Sequence, residues 1–193
     1  MFVPKSPTMR DSTLLPELIF ITAERKPDAP ALTYGKQSLN YCELSQSVSR
    51  FASGLISLGL ERGERVAIYL EKRFETVIAS FGTPAAGGVF VPLNPLLKAE
   101  QVGYILRDCN VRVLVTSPER LALLQETLHE CHDLRHVVVL DSIEALSSTG
   151  ALNIYRWSDL LDQLLVAGHR VIDTDVVSIL YTSGSTGKPK GVV

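Results

Sequence analysis

The residues with the greatest chemical potential lie near the end of the sequence, at Thr182-Ser183-Gly184-Ser185-Thr186-Gly187-Lys188-Pro189-Lys190-Gly191. Glycines allow the backbone to curl through positive φ angles and to approach a ligand closely. Thr182, Ser183, Ser185 and Thr186 offer hydroxyl donors, and the backbone N–H groups of such a turn add more. Lys188 and Lys190 supply charge that matches phosphate oxygens. A segment of this composition, placed after a buried strand near Asp175–Tyr181, is suited to holding a polyphosphate. A Walker A loop would need Ser or Thr after Gly187-Lys188, where Pro189 stands, and a glycine where Thr182 stands. The G-x-G-x-x-G dinucleotide fingerprint also fails, since Gly184 and Gly187 have no third glycine in register.

His129, Cys131, His132 and His136 form a second group worth weighing. Three histidines at offsets of three and seven could share a helical face and bind a metal. His136, however, reads as the first residue of the next strand, and histidines at a helix end interact favourably with its dipole. The expectation is therefore no metal site. Cys42 and Cys109 fall within apolar stripes and read as core fillers. Asp173 and Asp175 read as polar turn residues.

Composition narrows the class of protein. The chain has 193 residues, 46% hydrophobic and 21% charged, enough for one sizeable core without disulfides. A formal charge of −2 gives no electrostatic reason to bind nucleic acid or an anionic membrane. Cys42, Cys109 and Cys131 are odd in number and widely spaced, which points to reduced thiols. No signal-peptide pattern opens the chain, and no apolar run approaches the roughly 18 residues of a membrane span. The expected setting is soluble and cytoplasmic.

The elements that must position the glycine-rich segment follow from periodicity. Residues 1–11 read as a flexible lead-in, and 12–193 as one partial domain. A first helix is expected over Leu14–Arg25, then a hairpin of Ala31–Tyr34 and Gln37–Tyr41 turning at Gly35-Lys36. Asn40 and Glu43 form a capping box for a helix whose apolar stripe is Leu44, Val48, Phe51, Leu55 and Leu58, stopped by Gly59. Strand and helix then alternate. Strands are expected at Arg65–Leu70, Val89–Val91, Val111–Thr116 and His136–Leu140. Between them come helices carrying Phe74, Val77, Ile78 and Phe81 on one face, then Ala99–Cys109 and Pro118–Glu130. Residues 141–156 read as an irregular connection, followed by a helix near Trp157–Ala167 whose Leu160–Leu165 stretch packs in the core. This alternation implies an α/β fold with a mainly parallel sheet and helical crossovers.

The eleven residues Tyr181–Gly191, YTSGSTGKPKG, resemble the phosphate-binding signature of the adenylate-forming superfamily at every position. That family holds acyl- and aryl-CoA ligases, luciferases and peptide-synthetase adenylation domains. Leu39–Leu44 resembles its L-T-Y-x-E-L motif, and Ala86–Pro95 its A-G-x-x-x-V-P-L-[DN]-P motif. Pro84 and Ala85 depart from the Leu-Lys more usual there, in a structural segment. The resemblance covers the chain from about Leu14 onward. It implies that a carboxylate attacks the α-phosphorus of Mg2+-bound ATP, giving an acyl-adenylate, and that a thiol then displaces AMP. By the same resemblance Thr182, Ser183, Gly184, Ser185, Thr186, Gly187, Lys188 and Lys190 contact the ATP phosphates.

Family members run at least twice as long, with the adenine-binding motif, ribose-binding aspartate and catalytic lysine beyond the position of Val193. The resemblance therefore places no catalytic residue in this segment, and the segment alone is expected to be inactive. Residues from about Ser183 onward are expected to be loose, with sheet edges open to self-association. Asn94-Pro95 and the residues after it look more like fatty or aryl acid–CoA ligases, with coenzyme A as acceptor and a role in fatty acid metabolism. An adenylation domain loading a carrier protein is the alternative. A non-catalytic nucleotide-binding or interaction module is a further one.

Overall fold

The computed structural model describes residues 12–140, 152–182 and 189–193. Its centre is a five-stranded parallel sheet in the order β4-β3-β5-β6-β7. These strands are β3 (Arg65–Tyr69), β4 (Val89–Pro92), β5 (Val111–Thr116), β6 (His136–Val139) and β7 (Asn153–Arg156). Ahead of them come α1 (Glu17–Arg25) and the antiparallel hairpin β1 (Pro30–Tyr34) and β2 (Gln37–Asn40). The helices of the sheet region are α2 (Tyr41–Ser57), α3 (Phe74–Ala86), α4 (Ala99–Asp108), α5 (Pro118–Leu128) and α6 (Trp157–Leu161).

Because side chains alternate along a strand, each strand feeds two cores. Val66 and Ile68 of β3, Val113 and Val115 of β5 and Val138 of β6 face a layer built from α2, α3 and α6. Ala67 and Tyr69, Leu114, Val137 and Val139 face the layer of α4 and α5. The strands are apolar nearly throughout because both faces are covered, as a parallel sheet requires.

α2 forms where its caps and stripe dictate. The Asn40 side chain accepts the Glu43 N–H at 2.8 Å, and the Glu43 carboxylate accepts the Asn40 N–H at 2.9 Å. This reciprocal cap satisfies two N–H groups that the first turn leaves without partners. Leu44, Val48, Phe51 and Leu55 are buried as the spacing requires, while Leu58 at the helix end is half-buried.

Several elements differ from the sequence reading. α1 begins at Glu17, since Pro16 occupies the cap and residues before it form turns. On α3 the buried residues are Ile78, Ala79, Gly82, Thr83, Pro84 and Ala86, with Phe74, Val77 and Phe81 half-buried. Small residues lie innermost because α2 and α3 pack closely: a Cβ on Gly82 would stand 2.7 Å from Phe51. Residues 153–156, expected as irregular connection, are the edge strand β7, paired parallel to β6. Residues 141–151 of that connection lie outside the described residues. α6 ends at Leu161 rather than near Ala167: Leu160 is buried, but Leu164 is 88% and Leu165 68% exposed. Among the described residues nothing covers those leucines, so they give a helix nothing to bury here. Cys109 is buried as expected, whereas Cys42 is half-exposed. The lead-in of residues 1–11 lies outside the described residues. Among the described residues no helix is long and apolar enough to cross a membrane.

Candidate functional site

After α6 the chain crosses back over α2 and along the free edge of β4. Val166 and Ser53 exchange hydrogen bonds, the His169 ring lies 2.7 Å from the Leu60 carbonyl oxygen, and Asp175 pairs with Arg62 at 2.6 Å. Gly87 ends α3 in the left-handed region at φ 92°, and a Cβ there would meet His169 at 2.8 Å, so glycine suits both the turn and this crossing.

Val177–Ile179 then runs parallel to β4. The Phe90 N–H donates to the Val177 carbonyl, and the Ile179 N–H donates to the Phe90 carbonyl. The expected strand at Asp175–Tyr181 is thus split. It touches β4 at Ser178 and continues as β8 (Leu180–Thr182), which pairs antiparallel with β9 (Lys190–Val192). Leu180 is 51% exposed, so this strand is not the buried one that the sequence suggests.

The β8–β9 pairing sets Thr182 directly opposite Lys190 and Tyr181 opposite Gly191. Two of the sequence-derived phosphate contacts, Thr182 and Lys190, are therefore brought together at the mouth of the glycine-rich segment. Ser183, Gly184, Ser185, Thr186, Gly187 and Lys188 lie outside the described residues. Lys190–Val192 is a paired strand rather than the loose tail expected after Ser183. Gly191 has no room for a side chain: a Cβ would fall 2.9 Å from Ile179 and 3.2 Å from the Tyr181 ring. The Tyr181 hydroxyl donates to the Asp108 carboxylate at 2.6 Å, on the last residue of α4. Burial first, and then the bond to Asp108, push the Tyr181 phenol well above its usual range, so it stays protonated and a donor.

A second cleft escaped the sequence reading. β4 lies on one side of β3 and β5 on the other, so the strand order reverses between β3 and β5. Such a reversal leaves a crevice at the carboxyl ends of the strands. Here it is a cleft of about 410 Å³ lined by Leu70, Glu71, Arg73, Ser117, Arg120 and Leu123, among others. Its central cation is already engaged. Arg120 donates to Glu71 at 3.0 Å and to the Pro95 carbonyl at 2.6 Å, and it lies 4.7 Å over the Tyr69 ring. Only the topology reveals this cleft, because its residues lie in two separate strand-to-helix turns.

The histidine group is not assembled into a ligand set. His136 opens β6 with its ring tilted 60° to that of Tyr155 at 5.6 Å, while His129 and His132 lie beyond the end of α5. Among the described residues no three His, Cys, Asp or Glu side chains could together hold a metal ion. Asn94 accepts the Leu96 N–H at 2.9 Å, a local turn that an aspartate would make equally well.

Comparison with known proteins agrees with this architecture. The family model described as AMP-binding enzyme matches residues 19–193. Tyrocidine synthase 3 of Brevibacillus parabrevis is 35% identical over 88% of this chain. N-(5-amino-5-carboxypentanoyl)-L-cysteinyl-D-valine synthase of Streptomyces clavuligerus is 34% identical over 92%. The chain spans 2% of the first relative's length and 22% of the second's. The crystal structure of the anthranilate CoA ligase AuaEII in complex with anthranoyl-AMP superposes with a TM-score of 0.78 at 27% identity. That match covers 93% of this chain and 34% of the ligase.

Proposed function

This chain belongs to the AMP-binding enzyme family, and on that premise we propose that it is the N-terminal part of a ligase that adenylates a carboxylic acid with ATP. The observation that carries the reading is the β8–β9 pairing, which sets Thr182 opposite Lys190 at the two ends of the glycine-rich segment. ATP enters as its magnesium complex. The segment's hydroxyls, backbone N–H groups and lysines hold the β and γ phosphates, whose charge rises as pyrophosphate departs. Donors fixed in advance at that point stabilise the transition state, because they need no reorganisation when the charge appears. The residues that take part are Thr182, Ser183, Gly184, Ser185, Thr186, Gly187, Lys188 and Lys190, within a partial domain of residues 12–193.

The acyl acceptor has two readings. Transfer to coenzyme A, with a fatty or aryl acid as substrate, is supported by residues 94–101 and by the likeness to an anthranilate CoA ligase. Loading of a carrier protein is supported by the 35% identity to tyrocidine synthase 3. The test is acid-dependent exchange of labelled pyrophosphate into ATP by the full-length enzyme, over a panel of fatty, aryl and amino acids. Exchange with any acid supports adenylation, and a thioester assay with coenzyme A and with a phosphopantetheinylated carrier then separates the acceptors. Lack of exchange across the panel, with ATP hydrolysed independently of acid, would overturn the reading.

A further inference from the structure

We propose that Asp108, 73 residues before Tyr181, is a positioning residue for Thr182 and Lys190 and acts through the Tyr181 phenol. The proposal rests on the phosphate-holding reading of residues 182–190.

Among the described residues, the Ser178 bridge to β4 and the Tyr181 side chain tie the β8–β9 pair to the sheet region. The pairing of β8 and β9 with each other fixes their register but not where the pair sits on α4. Tyr181 supplies that location. Its ring packs beside Ile179 against the α4–α5 core and covers Gly191, its cross-strand partner. One side chain therefore spans both strands of the hairpin, and its hydroxyl ends on Asp108.

The mount is rigid. Val102, Ile105 and Leu106 bury one face of α4, and Arg65 donates to the carbonyls of Cys109 and Asn110 at 2.5 and 2.8 Å. A hydrogen bond to a carboxylate is stronger than a neutral one, so this contact outweighs an ordinary turn bond. Thr182 follows Tyr181 directly and Lys190 precedes Gly191, so any shift of the phenol moves both phosphate contacts. A displacement of about 1 Å at a positioning group is enough to cost a large factor in rate.

The test uses the full-length enzyme and pyrophosphate exchange, with kcat and KM measured separately for ATP and for the acid. The variants are Tyr181→Phe, Asp108→Ala, Asp108→Asn and the double variant Tyr181→Phe/Asp108→Ala. Tyr104→Phe serves as a control, because Tyr104 is a tyrosine of the same helix, one turn before Asp108. Tyr181→Phe and Asp108→Ala should each lower kcat/KM for ATP by roughly 10-fold, the range for a hydrogen bond to a charged group. The KM for the acid should stay within about twofold. Asp108→Asn should retain most activity, since its amide oxygen still accepts the phenol. The double variant should be no worse than either single one, as expected of two residues in one interaction.

Unchanged kcat/KM for ATP in Asp108→Ala would overturn the proposal, as would multiplicative losses in the double variant or an Asp108→Asn defect equal to that of alanine. An equal loss in Tyr104→Phe would do the same. If the wild-type enzyme shows no exchange, the functional reading fails, but the anchor can still be tested through amide hydrogen exchange. Faster exchange at 180–182 and 190–192 in Asp108→Ala and Tyr181→Phe, but not in Asp108→Asn, supports the anchor. Equal exchange in all variants overturns it.

Discussion

From β3 to β6 most strand residues are buried, on both faces of the sheet, whereas from α6 to the final strand several large apolar side chains stand in solvent. Val66, Ala67, Val113, Leu114 and Val137 are at most 1% exposed, while Leu164 and Val193 exceed 80%. The first region is ordered by a core it builds itself. The second is fastened to that core at discrete points: Ser53 to Val166, Leu60 to His169, Arg62 to Asp175, β4 to Ser178 and Asp108 to Tyr181. The segment proposed to hold phosphate is entered from the second region, since Thr182 ends β8 and Lys190 begins β9. The placement of β8 and β9 therefore depends on the fastenings, which can be broken singly without emptying the core.

The sharpest way to break this contrast is to damage the core. Phe51 is fully buried, stacks on Trp157 at 4.8 Å and packs against Gly82 of α3. Phe51→Ala should cost about 3–5 kcal/mol in urea unfolding and loosen the second region with the first, because Trp157 begins α6. Next in size is Gly54→Ala. Its Cβ would lie 2.6 Å from the Leu160 carbonyl oxygen, a backbone atom, so α6 must move away from α2. Despite the helix preference for alanine, the same unfolding assay should show a loss of about 1–3 kcal/mol. Asn40→Ala removes one half of the α2 capping box and should cost about 1 kcal/mol while leaving the second region unchanged.

The smallest expected effect is one of pH. Burial first, and then the neighbouring Arg135, hold the His136 imidazole below its usual 6.5, so the fold favours the neutral ring. The unfolded chain takes up the proton first as pH falls below about 6.5. Stability is thus fully present above that value and declines as pH drops toward the lowered folded value. Melting temperature should fall modestly from pH 7 to 5.5, and His136→Gln should flatten part of that slope.

The same division governs how much was legible in the sequence. The α2 capping box and the bounds of β5 follow from local pattern alone, since Asn40, Glu43 and the run Val111–Thr116 carry their own signals. β7 was missed because Asn153–Arg156 is four residues long, and its pairing with β6 leaves no trace in its composition. The helix expected after Trp157 extends too far because Leu164 and Leu165 look like core residues, and only the fold reveals that no described residue covers them. At the candidate site the composition of 182–190 pointed to phosphate, while the opposition of Thr182 to Lys190 and the tie from Tyr181 to Asp108 depend on distant contacts.

The most direct test of the central claim follows the oxygen. The full-length enzyme would be given ATP, its thiol acceptor and an acid that supports exchange, labelled with heavy oxygen in the carboxylate. Adenylation transfers one labelled oxygen to AMP, because the carboxylate oxygen that attacks the α-phosphorus stays with it when the thiol displaces AMP. Labelled AMP is the predicted result. Label in inorganic phosphate beside unlabelled ADP would mean an acyl phosphate instead, and would contradict the account.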